Sequence, residues 1–355
     1  MAEIIENRNI GSSISFGNWK EKFLDKILQG DSVTLLKEIP SEQINLVITS
    51  PPYYKQRDYG GGIGNEKTVE EYLNNIMKVF NESVRILKQD GSIVFNLGDK
   101  YENGSLLLIP YKFAIEALKR ENVKLINNIT WVKLNPTPRQ FDRRLVNSTE
   151  PFFHFVKSNS YYYNIDAFME DFNNNKNKTR TSEKLGQKYF QLIEKAPLSE
   201  IEKENAREEL QKVINEVREG KIAGFRMKIR GIHAPAFGGQ EGGRKIQIEK
   251  KGFTIIRING GSLKRDIIES PVETIKGCKH PAIYPEFIIH ELIKLLTKPG
   301  DIVLDPFVGS GTTAVAAKKL GRHFIGIDIN PNYCKYAIDR INKVNKQVTI
   351  TDLFK

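Results

Sequence analysis

The sequence predicts an open, largely parallel α/β sheet that carries a smaller inserted lobe. Three observations lead there. Short apolar runs with strand character alternate with amphipathic helical patterns over residues 23–157, and again over 286–341. The last strand-like runs end in glycine-rich and acidic residues rather than in hairpin turns. Between the two stretches the composition changes to a charged helical pattern and then to a basic, Gly-rich segment.

At 355 residues the chain exceeds the size at which one core keeps growing, so a large domain with a smaller lobe is expected. The net charge of +11 and pI near 9.3 point to an acidic partner, with nucleic acid the first candidate. Only two cysteines occur, Cys278 and Cys334, which argues against a disulfide framework or a cysteine-rich zinc site. No metal is expected. No apolar run reaches membrane-spanning length, and Met1 to Glu6 lacks a basic head and hydrophobic signal core; a soluble, cytoplasmic protein follows as the expectation.

Residues 1–22 are polar and Gly/Ser-rich, with Phe16 and Trp19 as anchors, and read as a mobile arm. Phe23 to Gln29 reads as a strand entering Gly30-Asp31-Ser32, and Val33 to Ile39 as a short helix or turn. Ile44 to Ile48 is a buried strand interrupted by Asn45. It stops at Thr49-Ser50-Pro51-Pro52-Tyr53-Tyr54. Neither proline can donate a backbone hydrogen bond, and each pushes the residue before it towards extended geometry. The product is a stiff strand end with a hydroxyl, bare carbonyls and an aromatic face, suited to a flat ligand with an amine on its edge. Gly60 to Gly64 follows as a flexible loop, a lid or plain surface.

From Thr68 to Leu87 apolar residues recur at helical spacing, and Gln89-Asp90-Gly91 closes that helix. Ser92 to Leu97 is a strand, Leu106 to Lys119 a helix, and Leu125 to Val132 and Phe152 to Lys157 are strands. Ser182 to Arg218 is one charged helical pattern. A basic stretch after it includes Arg226, Lys228, Arg230, Arg244, Lys245, Lys250, Lys251 and Arg257, which fits a lobe that tracks a phosphate backbone. A helix from Glu286 to Thr297 precedes the strand Ile302 to Leu304. Then come Asp305-Pro306-Phe307-Val308-Gly309-Ser310-Gly311-Thr312-Thr313, a helix from Ala314, a strand ending at Asp328, and a final helix from Pro331 to Ile341.

The unit at 302–320 has the mechanics of a nucleotide-type cofactor loop: small residues admit the ligand to the backbone, and Asp328 sits where an acidic side chain takes ribose hydroxyls. A phosphate-binding P-loop would need lysine after Gly311, where Thr312 stands. A dinucleotide fold would need a different glycine spacing.

Taken together, these motifs closely resemble the S-adenosylmethionine-dependent DNA amino-methyltransferases of the permuted β class, in which the catalytic motif precedes target recognition and the cofactor motif comes last. The resemblance covers roughly residues 24–157 and 270–343, including Asn96-Leu97-Gly98-Asp99, Trp131 to Pro136 and Glu150-Pro151-Phe152. It implies a Rossmann-like methyltransferase sheet divided into a catalytic half at 23–157, a target-recognition region at 158–270, a cofactor half at 271–345 and a tail at 346–355. The strand before Asp31 is then expected beside the strand ending at Asp328. The implied catalytic residues are Ser50, Pro51, Pro52 and Tyr53. The implied S-adenosylmethionine site comprises Asp31, His280, Pro281, Asp305, Phe307, Gly309, Ser310, Gly311, Thr312 and Asp328. Arg139, Arg143 and Arg144, with Arg244, Lys245, Lys250 and Lys251, are the candidate DNA contacts.

The family's cytosine-N4 enzymes usually carry serine at the first motif position and its adenine-N6 enzymes aspartate, so Ser50 implies cytosine, with adenine as the alternative. Neither cysteine follows proline, which disfavours carbon methylation. A non-catalytic DNA-binding subunit is a further alternative. The expected partner is double-stranded DNA, with a cognate restriction endonuclease acting separately and the protein a monomer or homodimer.

Overall fold

The computed structural model describes residues 4–6, 18–56, 62–136, 141–169, 185–222, 224–233, 244–258, 264–272 and 284–344. The strands of its main sheet are built around apolar runs. In chain order the first elements are β1 (Ile4–Glu6), α1 (Trp19–Phe23), β2 (Lys26–Gln29), α2 (Ser32–Leu36) and β3 (Ile44–Thr49). They continue with α3 (Val69–Ile86), β4 (Leu87–Asn96), the small hairpin β5 (Tyr101–Glu102) and β6 (Ser105–Leu106), α4 (Ile109–Ala117), β7 (Lys124–Lys133) and β8 (Thr149–Val156). The inserted elements are α5 (Gln187–Lys195), α6 (Glu200–Arg218), β9 (Gly224–Ile229), α7 (Arg244–Lys251) and β10 (Phe253–Ile258). The chain then forms β11 (Ile267–Ser270), α8 (Glu286–Leu296), β12 (Ile302–Asp305), α9 (Thr312–Lys319), β13 (His323–Asp328) and α10 (Pro331–Lys343).

Nine strands form one sheet in the order β1-β2-β13-β12-β3-β4-β8-β7-β11. Strand β8 is antiparallel to both of its neighbours, and the other pairings are parallel. The sheet is thus mostly parallel, as expected for the Rossmann-like class, and β2 does lie beside β13, with Gln29 opposite Asp328. The central strands β12 and β3 come from opposite parts of the chain. Their carboxyl ends, Asp305 and Thr49, therefore meet at the edge where open α/β sheets bind ligands.

Helix α3 begins with a complete capping box, Thr68 with Glu71, and buries Tyr72, Ile76, Val79 and Phe80. Phe80 of this helix meets Phe95, Phe113 and Phe155 edge to face at centroid separations of 5.3–5.6 Å. Asn45, the polar break in β3, sits at a register shift of the β3–β4 pairing. Its Oδ1 accepts from the Ile302 amide at 3.1 Å and from Lys88 Nζ at 3.1 Å. The Asn45 side chain, beside the bulge, thus satisfies the first amide of β12.

Clustering of contacts divides the chain into Met1–Phe168 with Arg265–Lys355, and Met169–Lys264. The second unit is narrower than the expected 158–270, because β11 pairs with β7 and thereby belongs to the main sheet. Within it α5 and α6 pack on the antiparallel strand pair β9–β10 around Ile193, Leu210, Ile214, Met227, Ile229 and Phe253.

Several local expectations are corrected. The expected strand from Phe23 starts only at Lys26, because Phe23 and Trp19 are the buried face of helix α1. That helix and the pairing of β1 with β2 occupy part of the expected mobile arm. Gln89-Asp90-Gly91 does not close α3: that helix ends at Ile86, and β4 runs on through these residues. A side chain at Gly91 would meet the Asn45 carbonyl at 2.8 Å, which explains the glycine as a close strand approach. The single helical pattern at 182–218 is two helices, broken at Ala196-Pro197-Leu198 and restarted by the Ser199/Glu202 capping box.

Asn45→Leu is expected to strand the Ile302 amide and lower stability by about 1–2 kcal/mol. The check is the urea midpoint of purified protein, with an unchanged midpoint removing the bulge argument.

Candidate active site

The site is assembled around Asp305, which is 1% exposed. Its Oδ1 accepts from Thr49 Oγ1 at 2.6 Å and from the Phe307 amide at 3.0 Å. Its Oδ2 accepts from Thr313 Oγ1 at 2.6 Å and from the Tyr284 hydroxyl at 2.9 Å. Burial lifts the carboxyl above its ordinary pKa, and these donors oppose that lift. Burial and the neighbouring Asp305 likewise push the Tyr284 phenol well up, so it stays a donor. One carboxylate thereby joins the end of β3, the loop after β12, the start of α9 and the segment leading into α8.

The loop from Asp305 to Gly311 takes its shape from glycines. Gly309 and Gly311 adopt φ of +46° and +83°, and a side chain on Gly311 would meet Ala337 Cβ of α10 at 2.7 Å. Arg340 braces the loop from α10, donating to the Ser310 carbonyl at 2.7 Å and to Thr312 Oγ1 at 3.1 Å. Ser32 Oγ donates to the Pro306 carbonyl at 2.6 Å, which ties the loop after β2 to the loop after β12. Asp328 ends β13; its Oδ2 accepts from the Gly309 amide at 2.9 Å and its Oδ1 from the Asn330 amide at 2.8 Å. Burial nevertheless raises its pKa to about 6. Asp31 caps α2 through bonds from the Thr34 amide and hydroxyl at 2.9 and 2.8 Å. Asp31, Asp305 and Asp328 thus all lie at carboxyl ends of neighbouring strands.

At the end of β3 the Pro52 carbonyl accepts from the Tyr72 hydroxyl at 2.8 Å, while no hydrogen bond to the Pro51 carbonyl forms among the described residues. Ser50 Oγ donates to the Tyr53 hydroxyl at 3.2 Å. That hydroxyl lies 2.9 Å from Asn96 Oδ1 and 3.0 Å from Glu150 Oε2. Lys133 Nζ donates to the other oxygen of Glu150. The Tyr53 ring lies on Gly98, where a side chain would meet Cε2 at 2.5 Å. Tyr54 instead packs on Tyr72, with Lys55 and Lys100 4.9 and 5.3 Å from its ring centroid. Asn96, Gly98, Lys133 and Glu150 lie in segments that carried the resemblance but were given no role of their own, nor were Tyr284 and Arg340. Only the pairing of distant strands shows what they touch.

The candidate DNA contacts fall on both units of the chain. Arg144 has its guanidinium 3.8 Å from the Tyr101 ring centroid and 3.7 Å from that of Phe141. Arg143 is exposed. Lys250 and Lys251 are exposed in the last turn of α7, where positive charge also complements the helix dipole. Arg230 and Arg257 of the basic stretch pair with Glu202 and Glu216 of α6, at 2.8 and 2.7 Å. Arg139, His280 and Pro281 lie outside the described residues, as do the side chains of Arg244 and Lys245. No helix among the described residues is long and apolar enough to cross a membrane.

A family model described as DNA methylase matches residues 44–339. The type II methyltransferase M.Cfr9I of Citrobacter freundii is 25% identical over 346 residues, covering 89% of this chain and 87% of the relative. M2.DpnII of Streptococcus pneumoniae is 27% identical over 342 residues, covering 90% of both chains. Among solved structures, the PvuII DNA methyltransferase (cytosine-N4-specific) shares the fold with a TM-score of 0.55 at 19% identity, covering 92% of this chain and 90% of that one. A putative DNA modification methylase from Thermus thermophilus, complexed with S-adenosyl-L-methionine, matches with a TM-score of 0.50 at 19% identity, covering 89% and 93%.

The raised pKa of Asp328 has a signed consequence for the protein alone. The folded state binds this proton more tightly than the unfolded chain, so the stabilisation is complete below about pH 4 and lost as pH rises through about 6. Asp328→Asn is expected to remove that slope, on the order of 2 kcal/mol across the window. Denaturant titrations between pH 4 and 7 measure it, and an unchanged slope would assign the titration to another group.

Proposed function

The chain belongs to the DNA methylase family, and on that basis we propose that it transfers a methyl group from S-adenosylmethionine to the exocyclic N4 amine of cytosine in duplex DNA. It is a DNA methyltransferase of the N6/N4 kind. The observation that carries the finer reading is Ser50 at the first motif position, with its hydroxyl hydrogen directed into the protein at Tyr53.

The residues present fit the cofactor. Asp328 is a costly, largely buried carboxylate at a strand end beside a loop that only glycine can shape, as an acceptor for ribose hydroxyls requires. Asp31 is assigned to the adenine end, and Phe307, Gly309, Ser310, Gly311 and Thr312 to the lining. Asp305, already engaged by four protein donors, acts through its negative charge beside the methionine ammonium rather than as a free acceptor. Bound there, the cofactor supplies an electrophilic methyl group.

The chain's own residues handle the amine. An exocyclic amine is a poor nucleophile because its lone pair is delocalised into the ring. Ser50 Oγ and the Pro51 carbonyl accept its two hydrogens, which favours tetrahedral nitrogen and directs the lone pair outward. The base has to leave the duplex to reach them, at a cost of a few kcal/mol. The Tyr53 ring, pinned by its hydroxyl and by Gly98, is the stacking surface that recovers part of this cost. The inserted unit is assigned to target recognition, and the enzyme to a restriction-modification system in which a separate endonuclease cuts the unmodified site.

Mass spectrometry of nucleosides from DNA methylated in vitro tests the assignment: N4-methylcytosine is expected, and N6-methyladenosine as the main product would transfer it to adenine. Ser50→Ala is expected to lose activity by at least about tenfold. Cofactor affinity is expected to fall as pH drops below about 6, because protonated Asp328 is a poorer acceptor, and calorimetry across pH 5–8 reads this directly. Lys250→Ala with Lys251→Ala is expected to weaken binding to all sequences and flatten the salt slope by about 2. An unchanged slope would remove α7 from the DNA surface.

A further inference from the structure

We propose that Glu150, held by Lys133, is a positioning residue that sets the direction of the hydrogen bonds through Tyr53, so that Ser50 meets the target amine as an acceptor. This rests on the reading of residues 50–53 as the methyl-transfer site. The argument is a count of protons. The Tyr53 hydroxyl faces Asn96 Oδ1 at 2.9 Å, Glu150 Oε2 at 3.0 Å and Ser50 Oγ at 3.2 Å. Asn96 donates its amide nitrogen to the Pro151 carbonyl at 3.1 Å, which leaves its oxygen facing Tyr53. A carboxylate and an amide oxygen only accept. The single phenolic proton therefore goes to one of them, and the phenolic oxygen offers Ser50 a lone pair. Ser50 spends its own hydrogen on that lone pair. Only lone pairs then remain on Ser50 Oγ for a ligand.

The opposite polarity would defeat the reaction. A serine free to rotate could donate to the amine nitrogen and occupy the electron pair that has to attack. A carboxylate oxygen that only accepts, beside the locked Asn96 oxygen, holds the phenolic proton away from Ser50. Lys133 contributes by engaging Glu150 Oε1, which leaves Oε2 for Tyr53. Lys133 is itself placed by Trp131, whose ring centroid lies 5.0 Å away and whose indole donates to the Ser270 carbonyl at 3.0 Å. Four strands thus converge on the orientation of one hydroxyl: β3 through Ser50 and Tyr53, β4 through Asn96, β8 through Glu150 and β7 through Lys133.

The test uses the full chain with labelled S-adenosylmethionine and duplex DNA, comparing Tyr53→Phe, Glu150→Gln and the double variant. In Glu150→Gln, Lys133 takes the one remaining oxygen and turns the amide NH2 towards Tyr53, where it competes with Ser50 for the phenolic lone pairs. Tyr53→Phe keeps the ring and cuts the relay. Each single variant is expected to lower kcat by about tenfold or more, with KM for cofactor and DNA within about twofold. The double variant is expected to be no worse than the poorer single, since both break one chain. Wild-type kcat in Tyr53→Phe, losses that multiply in the double variant, or a change confined to KM would each overturn the proposal. If Glu150→Gln loses cofactor binding in calorimetry and so has not folded, Tyr53→Phe decides alone, because it leaves the Lys133–Glu150 pair in place. A wild-type protein that methylates no DNA would overturn the functional reading itself, before any variant is made.

Discussion

The structure depends on a single buried carboxylate shared between two distant parts of the chain. Asp305 and Thr49 are 256 residues apart, yet their side chains meet at 2.6 Å across neighbouring parallel strands. A carboxylate removed from water is tolerated only when donors surround it, and here Thr49, Thr313, Tyr284 and the Phe307 amide do so. Each donor stands on a different local element. The carboxylate therefore fixes their mutual positions to within hydrogen-bond tolerance, which ordinary apolar packing specifies less sharply.

Two loops with different duties are held to one another by this contact. The turn after β3 is stiffened by two prolines, and its last carbonyl is taken by Tyr72. The loop after β12 is shaped by glycines and braced by Arg340. Rigid neighbours suit methyl transfer, where donor and acceptor atoms have to be placed close and in line and where small misplacements are expensive. Asn96 and Glu150 touch the turn after β3 through Tyr53, Tyr284 touches Asp305, and Lys133 holds Glu150.

Much of this was legible in the sequence, and the exceptions have physical reasons. The strand-turn-helix units at 44–54 and 302–320 were visible because prolines and glycines restrict the backbone locally. The neighbourhood of β2 and β13 followed from motif order. Helix α1 was missed because Trp19 and Phe23 carry no helical signal in five residues, and β4 was shortened because Gly91 reads as a turn when it marks a close strand crossing. The split between α5 and α6 rests on Pro197 inside an otherwise continuous apolar stripe. The partners of Tyr53 could not be read at all: Asn96 and Glu150 reach it only after β8 inserts antiparallel between β4 and β7. Charge counting also overstated the basic stretch, since Arg230 and Arg257 are neutralised by carboxylates of a helix that precedes them.

The strand order has a consequence for synthesis on the ribosome. Strand β3 is flanked by β4, which follows it closely, and by β12, which is made only at residues 302–305. Strand β2 waits likewise for β13. While the intervening chain is being translated, β3 exposes an apolar edge with unpaired amides, and the side chain of Thr49 has no carboxylate to meet. The turn after β3 thus exists in a half-built sheet until β12 has been made, the interval in which such edges are prone to aggregate. Closing contacts over such separations is slow. The contact between Thr49 and Asp305 can form in a nascent chain only after the 256 residues that separate them have been made and β12 has docked.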